Sequence, residues 1–243
     1  MCTVTFIPSG HTIFLTSNRD EQHRRSVASA PEIAHFNSGK ILFPRDGDAN
    51  GTWIAAHENG NAIVFLNGGF IAHIPQRPYR KSRGLVLIEL IDHPEPYNHF
   101  LALTLDNIEP FTAIIWDDHR LFECRWDGDQ KHLLQLDETK PHIWSSVTLY
   151  DALVIEKRNQ WFEKWISEKK TTSLNDILNF HQFTGDGDSH NDLMMNRGQV
   201  FTVSVTSLSI SKHQALMHYL DFKNNQSFEQ DLVFAKSLAG KYK

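Results

Sequence analysis

Cysteine is nearly missing from this chain: Cys2 and Cys124 are the two among 243 residues. Two cysteines close at most one bridge, and neither stands in the spacing of a zinc site or a redox pair, which excludes disulfide scaffolds and cysteine-rich metal domains. No stretch approaches the roughly eighteen consecutive apolar residues of a membrane helix, and no cationic segment followed by an apolar one opens the chain. Neither a membrane span nor a secretion signal is therefore expected, and the expected compartment is cytoplasmic, with both thiols free. Runs of five or six like charges are also lacking, and the formal net charge is −5, which argues against a dedicated nucleic-acid or membrane-surface partner. There are 14 histidines but no His-Glu-x-x-His helix and no Cys-x-x-Cys-His attachment site, so no metal and no cofactor is expected. Internal repeats, low-complexity tracts and Pro/Gly/Ser linkers are absent, and residues 1–243 are expected to form a single domain.

What is present is ordinary globular material, 40% hydrophobic and 22% charged, with one unusual placement. Cys2 directly follows Met1. Removal of Met1, which is efficient before a small side chain, would leave a residue carrying both a thiol and a free α-amine. Such an amine titrates at about pKa 7.7–8.0 and takes up a thiol proton near neutral pH without a separate histidine. Cys124, by contrast, alternates with Phe122 and Trp126 in a strand-like run and reads as a buried, inert thiol.

Thr3 to Ile7 and Thr12 to Ser17 are β-branched and aromatic, and Pro8-Ser9-Gly10-His11 between them is turn chemistry. With the turn centred on Ser9 and Gly10, Cys2 is expected opposite Ser17 and Asn18, beside Arg19 and Asp20. Further strands are predicted at Ile41 to Phe43, Thr52 to His57, Ala62 to Leu66, Phe111 to Trp116, Leu121 to Trp126, His132 to Leu136, Val200 to Ile210 and Gln214 to Tyr219. Helices are predicted over Ser82 to Ile91, around Tyr97, Phe100, Leu101 and Leu105, from about Leu149 to Ser167, and over Leu174 to Phe180. The last of these is opened by Ser173, with Asp176 three residues on. Strand runs interrupted by two helical pairs, with hairpin-like connections, predict an α+β fold: a four-layer α/β/β/α sandwich of two mainly antiparallel sheets.

A cysteine attacking an acyl carbon needs a base, a group that orients the base, and donors for the developing oxyanion. Cys2 supplies thiol and base, Asp20 can fix the amine, and Arg19 can favour the thiolate or hold an anionic substrate group. Asn67 ends a strand and can donate to the oxyanion, and the Gly68-Gly69 pair after it lets backbone N–H groups approach a ligand. The acidic run Asp186, Asp188, His190, Asp192 superficially suggests a calcium loop. Asn191 stands where that loop needs glycine and Arg197 where it needs glutamate, so it reads as a solvated loop able to overhang the site.

Met1-Cys2-Thr3 followed by Ser17-Asn18-Arg19-Asp20-Glu21 resembles the family of the transport and Golgi organization protein 2, named for its Asn-Arg-Asp-Glu motif. Gly51-Thr52-Trp53-Ile54-Ala55, Arg83-Gly84, the stretch from Thr148-Leu149-Tyr150 to Trp161-Phe162, and Arg197 leading into Thr202-Val203-Ser204-Val205-Thr206 extend the resemblance along nearly the whole chain. It implies an N-terminal-nucleophile hydrolase fold. The beginning of the chain is similar, more distantly, to bile salt hydrolases and penicillin V acylases, whose Asn-x-Asp pair corresponds to Asn18 and Asp20. That likeness implies Arg197 as the distal arginine of the site and places Ser145 or Ser146 near an oxyanion position. Cys2, Arg19, Asp20, Asn67 and Arg197 are thus the expected catalytic residues, and Asn18, Gly68 and Ser146 the expected substrate contacts. The expected function is a cysteine N-terminal-nucleophile hydrolase acting on a small non-peptide amide or acyl thioester. The alternative is a non-catalytic carrier of a hydrophobic metabolite, haem or acyl lipid, using the same pocket; it is motivated by the family's link to haem and lipid metabolism and by Ser17, where those acylases carry arginine. Either way the partner is a small acyl or hydrophobic molecule.

Overall fold

The structure, a computed structural model, describes residues 3–235, so Cys2 lies outside the described residues. Its elements in chain order are β1 (Thr3–Ser9), β2 (Thr12–Gln22), β3 (Glu32–His35), β4 (Lys40–Phe43), β5 (Ile54–His57), β6 (Ala62–Asn67), α1 (Arg83–Ile91), α2 (Pro96–Ala102), β7 (Phe111–Asp117), β8 (Arg120–Trp126), β9 (Lys131–Leu136), β10 (His142–Ser145), α3 (Ala152–Ser167), α4 (Leu174–Phe183), β11 (Val200–Ile210), β12 (Gln214–Asp221) and β13 (Gln226–Val233). Six strands form one sheet in the order β10-β1-β2-β11-β12-β13, and seven form another in the order β3-β4-β5-β6-β7-β8-β9. Every ladder between these strands is antiparallel.

The period of two along each strand sorts side chains into layers. Val4, Phe6, Ile13, Leu15, Leu208 and Ile210 of the first sheet meet Ile54, Val64, Leu66 and Ile114 of the second in the central core. The opposite face of the second sheet, with Ile63, Phe65 and Ile115, is covered by Val86, Leu87, Leu90 and Ile91 of α1 and Phe100 of α2. On the far face of the first sheet, Ile7 and Phe14 pack against Phe162, Ile177 and Phe180 of α3 and α4. Burying each such large aliphatic or aromatic side chain contributes about 1.5–3 kcal/mol, and three stacked apolar seams define the expected α/β/β/α sandwich. No described helix is long and apolar enough to cross a membrane. Cys124 is a free, buried thiol whose pKa burial pushes far up.

The first hairpin differs in register from the sequence expectation. Ser9 pairs with Thr12 and Thr3 with Asn18, so the turn is Gly10-His11, with Gly10 in the left-handed region at φ 62°. The slip amounts to two residues, which leaves every side chain on its expected face. The second strand, expected to end at Ser17, runs on through the Asn-Arg-Asp-Glu segment to Gln22, paired with β11 around an irregularity between Thr202 and Ser204. Helix α3 starts at Ala152, later than Leu149, because Asp151 caps it by accepting from the Val154 N–H. Ser173 and Asp176 form the expected capping box of α4. Three strands escaped the sequence pattern: β3, β10 and β13.

Candidate active site

Strand β2 runs through the middle of its sheet and presents the motif alternately to two sides. Asn18 and Asp20 face the α3/α4 layer, and Arg19 faces the other sheet. Asn18 is fully buried: its Nδ2 donates to the carbonyls of His181 (3.0 Å) and Leu193 (2.9 Å), and its Oδ1 accepts from His181 Nδ1. With Nδ1 donating, His181 Nε2 is left to accept the Thr5 hydroxyl at 2.8 Å. Burial, and then the nearby Arg158, holds the His181 pKa down at about 3, so this imidazole is neutral. Asn18 thus ties β2 to α4 and to the segment after the acidic loop.

The Asp20 carboxylate accepts from Tyr150 Oη at 2.7 Å and Thr202 Oγ1 at 2.6 Å. The Tyr150 ring is flanked by two guanidinium groups, Arg158 at 3.7 Å and Arg197 at 5.2 Å from its centroid. Arg197 donates to the carbonyls of His190 and Leu149 and to Asn191 Oδ1. It therefore reaches Asp20 through Tyr150. Arg158, wholly buried, donates to Thr3 Oγ1 and to the carbonyls of Asn191 and Asp192, clamping the residue next to Cys2 to the acidic loop. That loop is stitched internally, Asp188 accepting from the His190 N–H and the Asn191 amide, and Asp186 is paired with Lys157. No group of three or more metal-ligating side chains is found among the described residues.

On the other face, Arg19 donates to Asp46 Oδ2 and lies 4.8 Å from the centroid of the Trp53 ring. Asp46 also accepts from Arg25 at 2.7 Å and from the Ala49 N–H at 2.8 Å. Burial opposes ionisation of this carboxylate, but the Ala49 N–H and the two guanidinium groups outweigh it and its pKa is lowered. Arg19 and Asn67 line one cleft of about 490 Å³, whose wall also includes Trp53, Tyr79, Arg83 and Glu109.

Asn67 closes β6, and the chain beyond it is shaped by close packing. Gly68 has φ 87°, its N–H donates to Pro110 O at 3.0 Å, and a Cβ there would sit 2.6 Å from Val147 Cγ2. Ser146 Oγ donates to the Asn67 carbonyl at 2.8 Å, fixing that backbone, whereas the Asn67 side-chain amide has no hydrogen bond among the described residues. The neighbouring Ser145 hydroxyl is buried with no hydrogen-bond partner among the described residues, opposite Thr3 in the β1/β10 ladder.

The structure therefore brings Arg19 and Asn67 into one cleft, groups Gly68 and Ser146 behind Asn67, and sets Asn18, Asp20 and Arg197 on the other side of the sheet. Cys2 is one peptide bond from Thr3 and outside the described residues. Sequence reasoning did not single out Asp46, Tyr150, Arg158 or His181. Arg158 had one readable sign, its spacing of four from Phe162 on one helix face; the others depend on contacts distant in sequence.

Two facing antiparallel sheets between helical layers, led by a strand that starts at residue three, are the N-terminal-nucleophile hydrolase fold. Two crystal structures of variants of the conjugated bile acid hydrolase from Clostridium perfringens share it. One superposes with a TM-score of 0.55 at 12% identity, covering 98% of each chain, and the other with 0.54 at 12% identity, covering 99% of each. The chain belongs to the Transport and Golgi organisation 2 family, whose model matches residues 1–225. No curated protein sequence matches it significantly.

Proposed function

We propose that this protein is a cysteine N-terminal-nucleophile hydrolase of a small non-peptide amide or acyl thioester, with Cys2 as nucleophile once Met1 is removed. The observation that carries the reading is the cleft shared by Asn67 and Arg19, the latter one residue beyond Asn18, the β2 partner of Thr3. The Cys2 sulfur attacks the acyl carbon while the α-amine takes the thiol proton, and the carbonyl oxygen becomes an oxyanion held by the Asn67 amide. Collapse breaks the C–N or C–S bond; the leaving amine or thiol departs with the proton from the α-ammonium and leaves an acyl thioester on Cys2. Water, deprotonated by the α-amine, then releases the carboxylic acid and restores the thiol. Asp20 orients the amine and is itself held by Tyr150 and Thr202. One of the two similar crystal structures is a variant with alanine in place of its second-position cysteine, and it is described as a hydrolase of conjugated bile acid.

Turnover of a panel of acyl amides and acyl thioesters by the protein and by Cys2→Ala tests this, with intact mass reporting the loss of Met1. Activity abolished in Cys2→Ala is expected; undiminished activity, or a chain that keeps Met1 and still turns over, overturns it. A second reading, a carrier of a hydrophobic metabolite, is favoured by Phe70, Ile71 and Ile74, which are 50%, 77% and 87% exposed just beyond Gly69. Haem or acyl-lipid binding that survives Cys2→Ala without any turnover would select it.

A further inference from the structure

Arg83-Gly84 and Gly51-Thr52, two of the stretches that carry the family resemblance, meet in space. A Cβ on Gly51 would lie 2.7 Å from Gly84 Cα, and one on Gly84 2.9 Å from the backbone of Thr52, so the first turn of α1 docks backbone to backbone on the segment before β5. Two glycines in contact bring Arg83, the first residue of α1, into the cleft wall. Its Nη1 donates to Pro110 O at 3.2 Å, the same carbonyl that receives the Gly68 N–H at 3.0 Å. Gly68, the residue after Asn67, and the Arg83 guanidinium are thus fixed to one atom.

Charge in the cleft is unbalanced. At the inner end, Arg19 and Arg25 are met by Asp46 and, at 3.8 Å, by Glu21. At the α1 end stand Arg77, Lys81 and Arg83, and the one lining carboxylate there, Glu109, is 3.3 Å from Arg83 and equally far from His73. Lys81 is engaged from outside the cleft by Glu89 at 2.6 Å. Arg77 has neither hydrogen bond nor ion pair among the described residues. Five cationic side chains line the cleft with three carboxylates, and Asp48 at 3.0 Å and Glu89 pair Arg25 and Lys81 from outside it, so the uncompensated positive charge falls at Arg77 beside Arg83. The first turn of α1 has no acidic side chain, so its N–H groups add to the positive end. Burial holds the Arg83 guanidinium below its ordinary pKa, Glu109 compensates in part, and the neighbouring Arg77 lowers it further. A guanidinium beside an unpaired like charge is stabilised by an arriving anion, which its planar fork binds in bidentate fashion.

We infer that the α1 end of the cleft is a subsite for an anionic group, a carboxylate or a phosphate, on the part of the ligand that projects from Asn67 toward Arg77 and Arg83. This deepens the hydrolase reading by naming the class of substrate, and it stands on the cleft whether or not Cys2 reacts.

Calorimetric titration of the Cys2→Ala protein, which cannot form the proposed acyl-enzyme, separates the two ideas. Three probes share one acyl amide and differ at the far end: N-decanoylglycine, N-decanoyl-O-phosphoethanolamine and neutral N-decanoylethanolamine. At least one anionic probe is expected to bind about tenfold more tightly than the neutral one. The preferred probe identifies the carboxylate or the phosphate as the natural chemistry. In Arg77→Gln/Arg83→Gln the advantage is expected to fall below about threefold. Arg77 is exposed, so Arg77→Gln alone retains the fold and is expected to lose a measurable part of the preference. Equal affinity for all three probes, no binding of any up to about 1 mM, or a preference undiminished in both variants overturns the inference. An anion preference without turnover of any substrate by the unmutated protein would overturn the hydrolase reading alone.

Discussion

The Tyr150 hydroxyl donates to the Asp20 carboxylate at 2.7 Å, joining residues 130 positions apart in the chain. Both are buried, and the tyrosine ring is stacked against Arg158 and Arg197. The central acid of the Asn-Arg-Asp-Glu motif is thereby held by the residue just before the cap of α3. Tyr150→Phe keeps the ring and removes one donor from a buried carboxylate, which costs about 1–3 kcal/mol. For a chain of this length a loss of that size lowers the melting temperature by about 2–4 °C per kcal/mol. An unchanged melting temperature would contradict a working hydrogen bond.

Arg158 is the largest fully buried side chain and serves Thr3 Oγ1 and two carbonyls at once. Arg158→Met keeps much of the stem but leaves those acceptors unsatisfied, at a cost of about 3 kcal/mol or more. Urea denaturation reads the total. Hydrogen exchange should show lost protection concentrated at β1 and at residues 190–193; uniform loss across the sheet would speak against the clamp.

Gly10 and Gly68 both have positive φ, at 62° and 87°, but differ in surroundings. A Cβ on Gly10 meets nothing within 4 Å, whereas one on Gly68 meets Val147 and Thr148 methyl groups at 2.6 and 2.9 Å. Gly10→Ala should cost about 1 kcal/mol, the ordinary left-handed penalty. Gly68→Ala should cost clearly more and displace Asn67, lowering activity, as paired denaturation and turnover measurements would reveal. Equal effects would refute the packing account.

Under the hydrolase reading, Asn67→Ala lowers kcat by about a hundredfold, the usual cost of one oxyanion donor. Its amide makes no hydrogen bond among the described residues, so the melting temperature should hold. A loss confined to KM, or a large fall in stability, would reassign the side chain.

His181 carries a pH dependence with a definite sign. Its pKa is about 3 in the native state against 6.5 ordinarily, so between these values the unfolded chain binds a proton that the native protein refuses. Stability is therefore lost as pH falls below 6.5, by up to about 1.4 kcal/mol per pH unit from this group. His181→Gln should flatten the stability curve between pH 6.5 and 4.5 relative to the unmutated protein, independently of its constant packing cost. Parallel curves would place the titration elsewhere.

The elements legible in the sequence and those missed divide along a physical line. Central strands such as β1, β6 and β7 are buried on both faces and announce themselves by β-branched and apolar runs. The three missed strands, β3, β10 and β13, are all sheet edges with half-exposed polar residues, and their conformation is imposed by one neighbour. The hairpin slip has the same origin: turn chemistry fixes that a hairpin forms between Ile7 and Thr12, while the ladder energy chooses which residues pair. Capping of α4 by Ser173 and Asp176 needed only four consecutive residues and was readable.

Much the same holds for the candidate site. By itself the sequence determined a cysteine at position two, a polar motif on the strand that follows it, and an asparagine closing β6, because these are local facts of order and spacing. The tertiary structure alone decided that Arg19 and Asp20, adjacent in the chain, serve opposite faces of one sheet. It also decided that Tyr150 reaches Asp20 and that two glycines seat Arg83 in the cleft with Asn67. The last two relationships link residues tens to more than a hundred positions apart, and they form when two sheets and four helices bury their apolar faces together.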